Sequence, residues 1–239
     1  MTKPAPLIAA IDTTWPAAEM RRADGWVLRR GAGGGQRVSA ASPEADVPEI
    51  APAVTAMAAW DQPPLFRLTP EEAEADAALA AAGYHIHDPV ALYAAPLATL
   101  THDNDETARL IRCAAPLAVI DEIWQAGGIG PERRAVMARV VTPSIVLMAR
   151  LGDRPVGCAF VALDGPIAMI HAIEVLAERR REGAGRLLLQ GAANWASEQG
   201  ATTLALAVTE ANAPARALYE RLGMTIATRY HYRCLPEPG

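Results

Sequence analysis

From residue 175 to 189 the chain reads Val-Leu-Ala-Glu-Arg-Arg-Arg-Glu-Gly-Ala-Gly-Arg-Leu-Leu-Leu, a basic, glycine-containing link between an apolar run and an Ala/Leu segment. The apolar run has the character of a strand and the segment that of a helix. Amide N–H groups at a helix start have no acceptor within the helix, and the macrodipole adds partial positive charge there. Glycines let the chain turn so that several of these groups face one anion. Arg180, Arg181 and Arg186 surround that point with full charge. The chemistry implied is the binding of a phosphate-bearing ligand at Arg180–Gly185. No Gly-x-x-x-x-Gly-Lys-Ser/Thr is present, which disfavours a nucleoside triphosphatase. The loop also lacks the Gly-x-Gly-x-x-Gly spacing of a dinucleotide site.

Other reactive side chains carry less. The cluster Gly31–Gly35 has no following helix and reads as a flexible hairpin tip. His85 and His87 beside Asp88 sit two apart at a strand end, a spacing that suits solvated side chains better than a metal cluster. Cys158 lies inside an apolar run and reads as buried. The three cysteines are scattered without metal-ligand spacing, and no metal is expected.

The elements that would position the loop follow from turn chemistry. In the second half, Ile145–Leu151 and Val156–Leu163 read as strands joined at Gly152-Asp153-Arg154, and Ile167–Val175 as a third strand begun by Asp164-Gly165-Pro166. After the loop come a helix at Gly183–Ser197, a strand at Thr203–Val208, a helix at Pro214–Leu222 closed by Gly223, and a strand at Met224–Arg233. Two helical segments, Asp105–Trp124 and Pro131–Val140, precede the strands. In the first half, Gly25–Arg30 and Gln36–Ser42 read as a hairpin around the glycine cluster. Helices are expected within Val47–Trp60 and from Thr69 to Ala82, with Thr69 as N-cap and Pro70 at the first helical position. Leu65–Leu68 and Val90–Ala94 are strand candidates, and the polar stretch Leu97–Asp105 marks a boundary. Two domains are therefore expected, 1–98 and 99–239.

Composition narrows the function classes. With 239 residues, 51% hydrophobic, the chain can bury a sizeable core. Its net charge of -5 argues against general affinity for nucleic acid or anionic membranes. No apolar run approaches the ~18 residues of a membrane span. The N-terminal MTKPAPLIAAIDTTW does not read as a signal peptide, and an odd, sparse cysteine count fits a reducing compartment. The expected setting is cytoplasmic, as a monomer or homodimer.

At Arg180, Gly183 and Gly185 the loop resembles the Gln/Arg-x-x-Gly-x-Gly/Ala pattern of the GNAT N-acetyltransferase superfamily. Downstream, Asn212-Ala-Pro-Ala-Arg-Ala-Leu-Tyr219-Glu-Arg-Leu-Gly223-Met224 resembles that family's Asn-x-x-Ala-x-x-Leu-Tyr-x-x-x-Gly-Phe segment, with Met224 in place of Phe. The resemblance spans residues ~105–235, and more loosely the first half is similar to the N-terminal part of tandem GNAT proteins. It implies an α/β (α+β) GNAT fold, a mixed central sheet flanked by helices, in two GNAT-like halves of which the first is degenerate and lacks the loop. Trp26, Arg29 and Trp60 would then be the first half's candidates for shaping an acceptor pocket.

The resemblance further implies an acetyl-CoA cosubstrate, its pyrophosphate on the amides of Arg181, Gly183, Ala184, Gly185 and Arg186 with Arg180 beside them. Ile173–Val175 would pair with the pantetheine arm where that strand diverges from Thr203–Val208. Asn212 would contact the cofactor or fix the loop beneath it. Tyr219 is the implied general acid, protonating the departing CoA thiolate or hydrogen-bonding it. An attacking amine must lose a proton, and Glu174, alternating with Ile173 and Val175, is the candidate base, a structural salt bridge being the other reading of this residue, with His171 second. The expected activity is acetyl transfer to a primary amine, small-molecule or protein-borne. A non-catalytic acyl-CoA-binding or regulatory module is the alternative.

Overall fold

The computed structural model describes residues 4–101 and 110–236. In chain order the elements are α1 (Pro4–Thr14), β1 (Glu19–Ala23), β2 (Trp26–Arg30), β3 (Ser42–Pro43), α2 (Ile50–Ala58), β4 (Leu65–Leu68), α3 (Ala73–Ala81), β5 (His85–Pro96) and α4 (Leu97–Leu100). They continue with β6 (Leu110–Cys113), α5 (Ala118–Ala126), α6 (Pro131–Ala138), β7 (Ser144–Leu151), β8 (Arg154–Asp164), β9 (Ile167–Val175), α7 (Ala184–Glu198), β10 (Thr203–Thr209), α8 (Ala213–Arg221) and β11 (Thr225–Cys234). This is the α/β class with a mixed sheet flanked by helices. Among the described residues no helix is long and apolar enough to cross a membrane.

Compactness divides the chain into two units. One holds the residues up to Pro16, Leu92–Val208 and Ala213–Ala227, and the other holds Ala17–Ala91, Thr209–Asn212 and the residues from Thr228 on. Neither is a continuous stretch of sequence, whereas the expected division is a single cut at 98/99. The expected boundary Leu97–Asp105 falls partly on residues 102–109, outside the described residues.

In the first unit β6, β7, β8 and β9 form an antiparallel run, and β10 joins β9 in parallel. Two-residue turns at Gly152-Asp153 and Gly165-Pro166 close the hairpins, with Gly152 at φ 59 and Gly165 at φ 54. Val156–Leu163 is buried without alternation, the signature of a strand covered on both faces. Helices α1 and α5 pack on β8 and β9, and α7 packs across β7, β8 and β9. Helix α7 buries ten of its 15 residues, among them Leu188, Ala192, Trp195 and Ala196 of the expected stripe. The helix expected over Asp105–Trp124 is not what forms. Its described part is strand β6 followed by α5, because Leu110–Cys113 pairs with Val146–Ala149 and that partnership overrides local propensity.

In the second unit β1, β2 and β3 form a small antiparallel sheet, and β11 pairs antiparallel with β4. Trp26, Phe66 and Tyr84 stack in its core with Met57, Leu68 and Leu79. The capping box at Thr69 and Glu72 starts a 3-10 turn that runs into α3. The hairpin, however, is β1–β2 rather than one across Gly31–Gly35. Its turn is Asp24-Gly25, both residues at positive φ, while Gln36–Val38 is a 3-10 turn. Trp26 and Arg29 are 1% and 2% exposed, so both are packed rather than presented. Trp60 lies under the Arg21 guanidinium.

Candidate functional site

Strand β9 ends at Val175, a 3-10 turn covers Ala177–Arg179, and Gly183 caps α7 at φ 94, ψ −6. No side chain caps this helix. Leu187 N–H donates to Gly183 O at 3.0 Å as the first intrahelical bond, so the amides of Ala184, Gly185 and Arg186 precede any helical acceptor. A Cβ on Gly183 would meet nothing within 4 Å, so the space beside this capping residue is open. A Cβ on Gly185 would stand 3.0 Å from Leu218 Cδ2, so this glycine lets α8 lie close against the start of α7. Arg181 is exposed at φ 71, Arg186 Nε donates to Gln190 Oε1 at 3.3 Å, and Ala184 is buried. An open amide row at the positive end of a 15-residue helix, edged by arginines, suits a pyrophosphate.

The strand that feeds the loop is irregular in two ways. Its parallel pairing with β10 covers only Ile167–Met169 against Thr203–Ala205, although β9 runs on to Val175 and β10 to Thr209. The backbone of Ile173–Val175 therefore lies past the point where the two strands part, leaving polar groups for an extended, amide-rich ligand arm. The second irregularity is a bulge. Cys158 pairs with Glu174 and Phe160 with His171, so Ala159 faces two residues, Ala172 and Ile173. Ala172 sits at φ 50, and its carbonyl accepts from Trp124 Nε1 at 2.8 Å.

The bulge re-aims Glu174. Cys158 and Phe160 share one face of β8, so their partners Glu174 and His171 share it too, although their separation by three residues puts them on opposite faces of a regular strand. That face is covered by α1 and α5: Phe160 meets Trp15, just past α1, edge-on, His171 is tilted against the same ring, and Cys158 Sγ points to Ile120 O. The Glu174 side chain is 15% exposed and its Oε1 accepts from Arg180 Nη2 at 3.1 Å. Arg180 Nε also donates to Val175 O at 3.0 Å, folding the loop back onto the strand. His171 is 3% exposed and hydrogen-bonds Thr14 Oγ1 at 2.8 Å, a buried structural histidine. Burial pushes the Cys158 thiol far up, consistent with an inert core residue.

Tyr219, on α8, is 6% exposed and tilted against Tyr93, with ring centroids 5.7 Å apart. Burial first, and the neighbouring Tyr93 second, push its phenol up to about 12. Tyr93 O–H donates to Glu220 Oε1 at 2.6 Å and accepts from Arg216 Nε at 3.3 Å, which anchors α8 to β5 on the same side. Tyr219 thus stays protonated across the working pH range of most enzymes. Asn212 belongs to the second unit, where its N–H closes a turn on Thr209 O at 3.0 Å.

Three residues of this site are absent from the sequence reading: Ala172, Trp124 and Gly127. A positive φ at a non-glycine residue leaves no mark in sequence. Trp124 does show as the last large apolar residue of α5, and Gly127-Gly128 as a helix stop. His87 Nε2 hydrogen-bonds Gln36 at 2.8 Å and lies 3.4 Å from Asp88.

Residues 118–224 match the Acetyltransferase (GNAT) family. The chain is 26% identical over 235 residues to the uncharacterized N-acetyltransferase YobR of Bacillus subtilis, covering 92% of this chain and 94% of that protein. A shorter segment of 54 residues is 48% identical to a streptothricin acetyltransferase of Streptomyces lavendulae, covering 23% of this chain and 29% of that protein. In fold it is similar to a GCN5-related N-acetyltransferase from Kribbella flavida, with a TM-score of 0.73 and 21% identity over 100% of this chain and 98% of that one.

Proposed function

We propose that this chain, whose residues 118–224 match the Acetyltransferase (GNAT) family, transfers the acetyl group of acetyl-CoA to a primary amine by direct attack. The observation that carries this reading is the adjacency of an open amide row at Ala184–Arg186 to a strand end, Ile173–Val175, left unpaired by β10. Acetyl-CoA supplies an activated thioester and a thiolate leaving group. The amide row and Arg181 hold the pyrophosphate, and the backbone of Ile173–Val175 aligns the pantetheine arm.

The amine nitrogen bonds to the acetyl carbon as the C–S bond breaks, and the sulfur leaves with the bonding pair. Tyr219 donates its O–H toward that sulfur. A phenol near 12 lies above an ordinary thiol at ~8.5. Hydrogen-bond donation from the retained O–H therefore does most of the stabilising, and full proton transfer lags behind it. Glu174 accepts the proton that the amine loses, directly or through water.

The acceptor is a small-molecule or protein-borne primary amine. The second unit has its own core but no Arg-x-x-Gly-x-Gly loop, and we read it as a degenerate GNAT-like half that does not hold CoA. The test is thiol release from acetyl-CoA across a panel of primary amines, run beside calorimetric binding of CoA. Amine-dependent release is the expected result. Tight CoA binding with no release for any amine would instead make the chain a non-catalytic acyl-CoA-binding module.

A further inference from the structure

Helix α5 ends in two consecutive glycines with different physical roles. Gly128, at φ 77, is the left-handed residue that closes the helix. Its N–H donates to Gln125 O at 3.1 Å, and Ile129 N–H donates to Trp124 O at 2.8 Å. Gly127 needs no such freedom, because at φ −84, ψ 6 it is open to any residue. What an added side chain at position 127 would displace is Glu174. A Cβ there would stand closer than 3.0 Å to Cγ, Cδ and Oε2 of Glu174, a separation that real Cβ atoms do not adopt. Because Cγ and the carboxylate are met together, an added Cβ moves the outer part of the Glu174 side chain away from the position in which it binds Arg180 Nη2.

We propose that Gly127 is a positioning residue whose missing side chain forms the seat of the Glu174 carboxylate and so aims the general base. The proposal rests on the reading of Glu174 as that base. The same turn of α5 sets the strand beneath it, since Trp124 Nε1 holds the carbonyl of the bulge residue Ala172. The helix end therefore fixes both the backbone and the side chain of the base. The groups that face Glu174 are Arg180 from the loop and, from the strand beside it, the thiol of Cys158, which also feels Asp121 of α5.

The test compares Gly127→Ala, Gly128→Ala, Glu174→Gln and the double variant Gly127→Ala/Glu174→Gln. Each is measured for kcat, KM for acetyl-CoA and the pH profile with one primary amine. Glu174→Gln should lower kcat by about 10²-fold or more and abolish the acidic limb of the profile. Gly127→Ala should lower kcat by about tenfold, shift that limb, and leave KM for acetyl-CoA within about twofold. Added to Glu174→Gln it should do nothing further, because the seat then holds no base. Gly128→Ala should lower Tm and leave the limb in place. If Gly127→Ala proves unstable, Glu174→Ala, which removes the colliding side chain, should restore its Tm, and failure to do so overturns the proposal. A loss at Glu174→Gln without one at Gly127→Ala overturns the seat and leaves the base reading standing. Equal, additive losses with an unmoved limb make Gly127 merely structural and also overturn it. No loss at Glu174→Gln overturns the base reading and the seat together.

Discussion

Replacing Gly183 with alanine separates what the loop does for the fold from what it does for a ligand. Gly183 sits at φ 94, and an added Cβ would meet no atom within 4 Å. The folded-state penalty is thus backbone strain alone, about 1–2 kcal/mol for an L residue in the left-handed region. For a chain of this size each kcal/mol lowers Tm by about 2–4 °C, so Gly183→Ala should melt roughly 2–8 °C lower. The same Cβ adds bulk in open space at the residue just before the Ala184–Arg186 amides, next to the proposed pyrophosphate position. A ligand at a hundred times its Kd adds about 2.7 kcal/mol to stability, and a tenfold loss of affinity removes about 1.4 of that. The assay is thermal melting with and without CoA, and Gly152→Ala serves as the control. Gly152 is also at positive φ, φ 59, with nothing within 4 Å of its Cβ, but it lies in the β7–β8 turn. Both variants should lose Tm, and only Gly183→Ala should lose half of the CoA-induced rise. An undiminished CoA shift in Gly183→Ala would refute the placement of the anion at this helix start.

Two further outcomes follow from the packing. The Arg233 guanidinium first, and His231 second, hold the Asp76 carboxyl below the usual range, while its burial works the other way. Its folded value is depressed, so the stabilisation is present above the unfolded pKa near 4 and is lost as pH falls through the folded value. The gap in Tm between wild type and Asp76→Asn should therefore narrow from pH 7 to pH 3, and a constant gap would refute the linkage. Trp124→Phe removes the donor to Ala172 O and should cost about 1–3 kcal/mol in urea unfolding, beyond the loss of packing. A cost below about 0.5 kcal/mol would show that the bulge does not depend on this bond.

Punctuation made the first unit readable. Gly152-Asp153, Gly165-Pro166, Gly183 and Gly223 bracket β7, β8, β9, α7 and α8 to within a residue or two of their observed ends. The failures also have physical causes. Asp24-Gly25 is the strongest short hairpin signal in the chain, yet the richer glycine cluster at 31–35 drew the turn away from it. Leu110–Cys113 is a strand only because β7 offers its edge, a long-range partnership that a local window cannot contain. Helix α1, with Pro4 and Pro6 at its start, reads locally as an apolar patch and gains its order by packing on β8 and β9. At the candidate site the loop is legible from the spacing of its arginines and glycines, and Tyr219 only through its resemblance to the family's Asn-x-x-Ala-x-x-Leu-Tyr segment. The face of Glu174 is not, because one extra residue in β9 reverses the alternation from which faces are read. Gly127 was equally hidden, since its role is the volume of a side chain 47 positions away.

The most direct measurement is the turnover of Tyr219→Phe against wild type, with saturating acetyl-CoA and one accepted amine, beside the affinity of each for acetyl-CoA. The buried phenol, pushed up to about 12, is a hydrogen-bond donor at every practical pH, and phenylalanine removes only its O–H. Loss of a positioned acid should lower kcat by about 10²–10⁴-fold while acetyl-CoA affinity stays unchanged. Unchanged turnover with unchanged affinity would contradict the account.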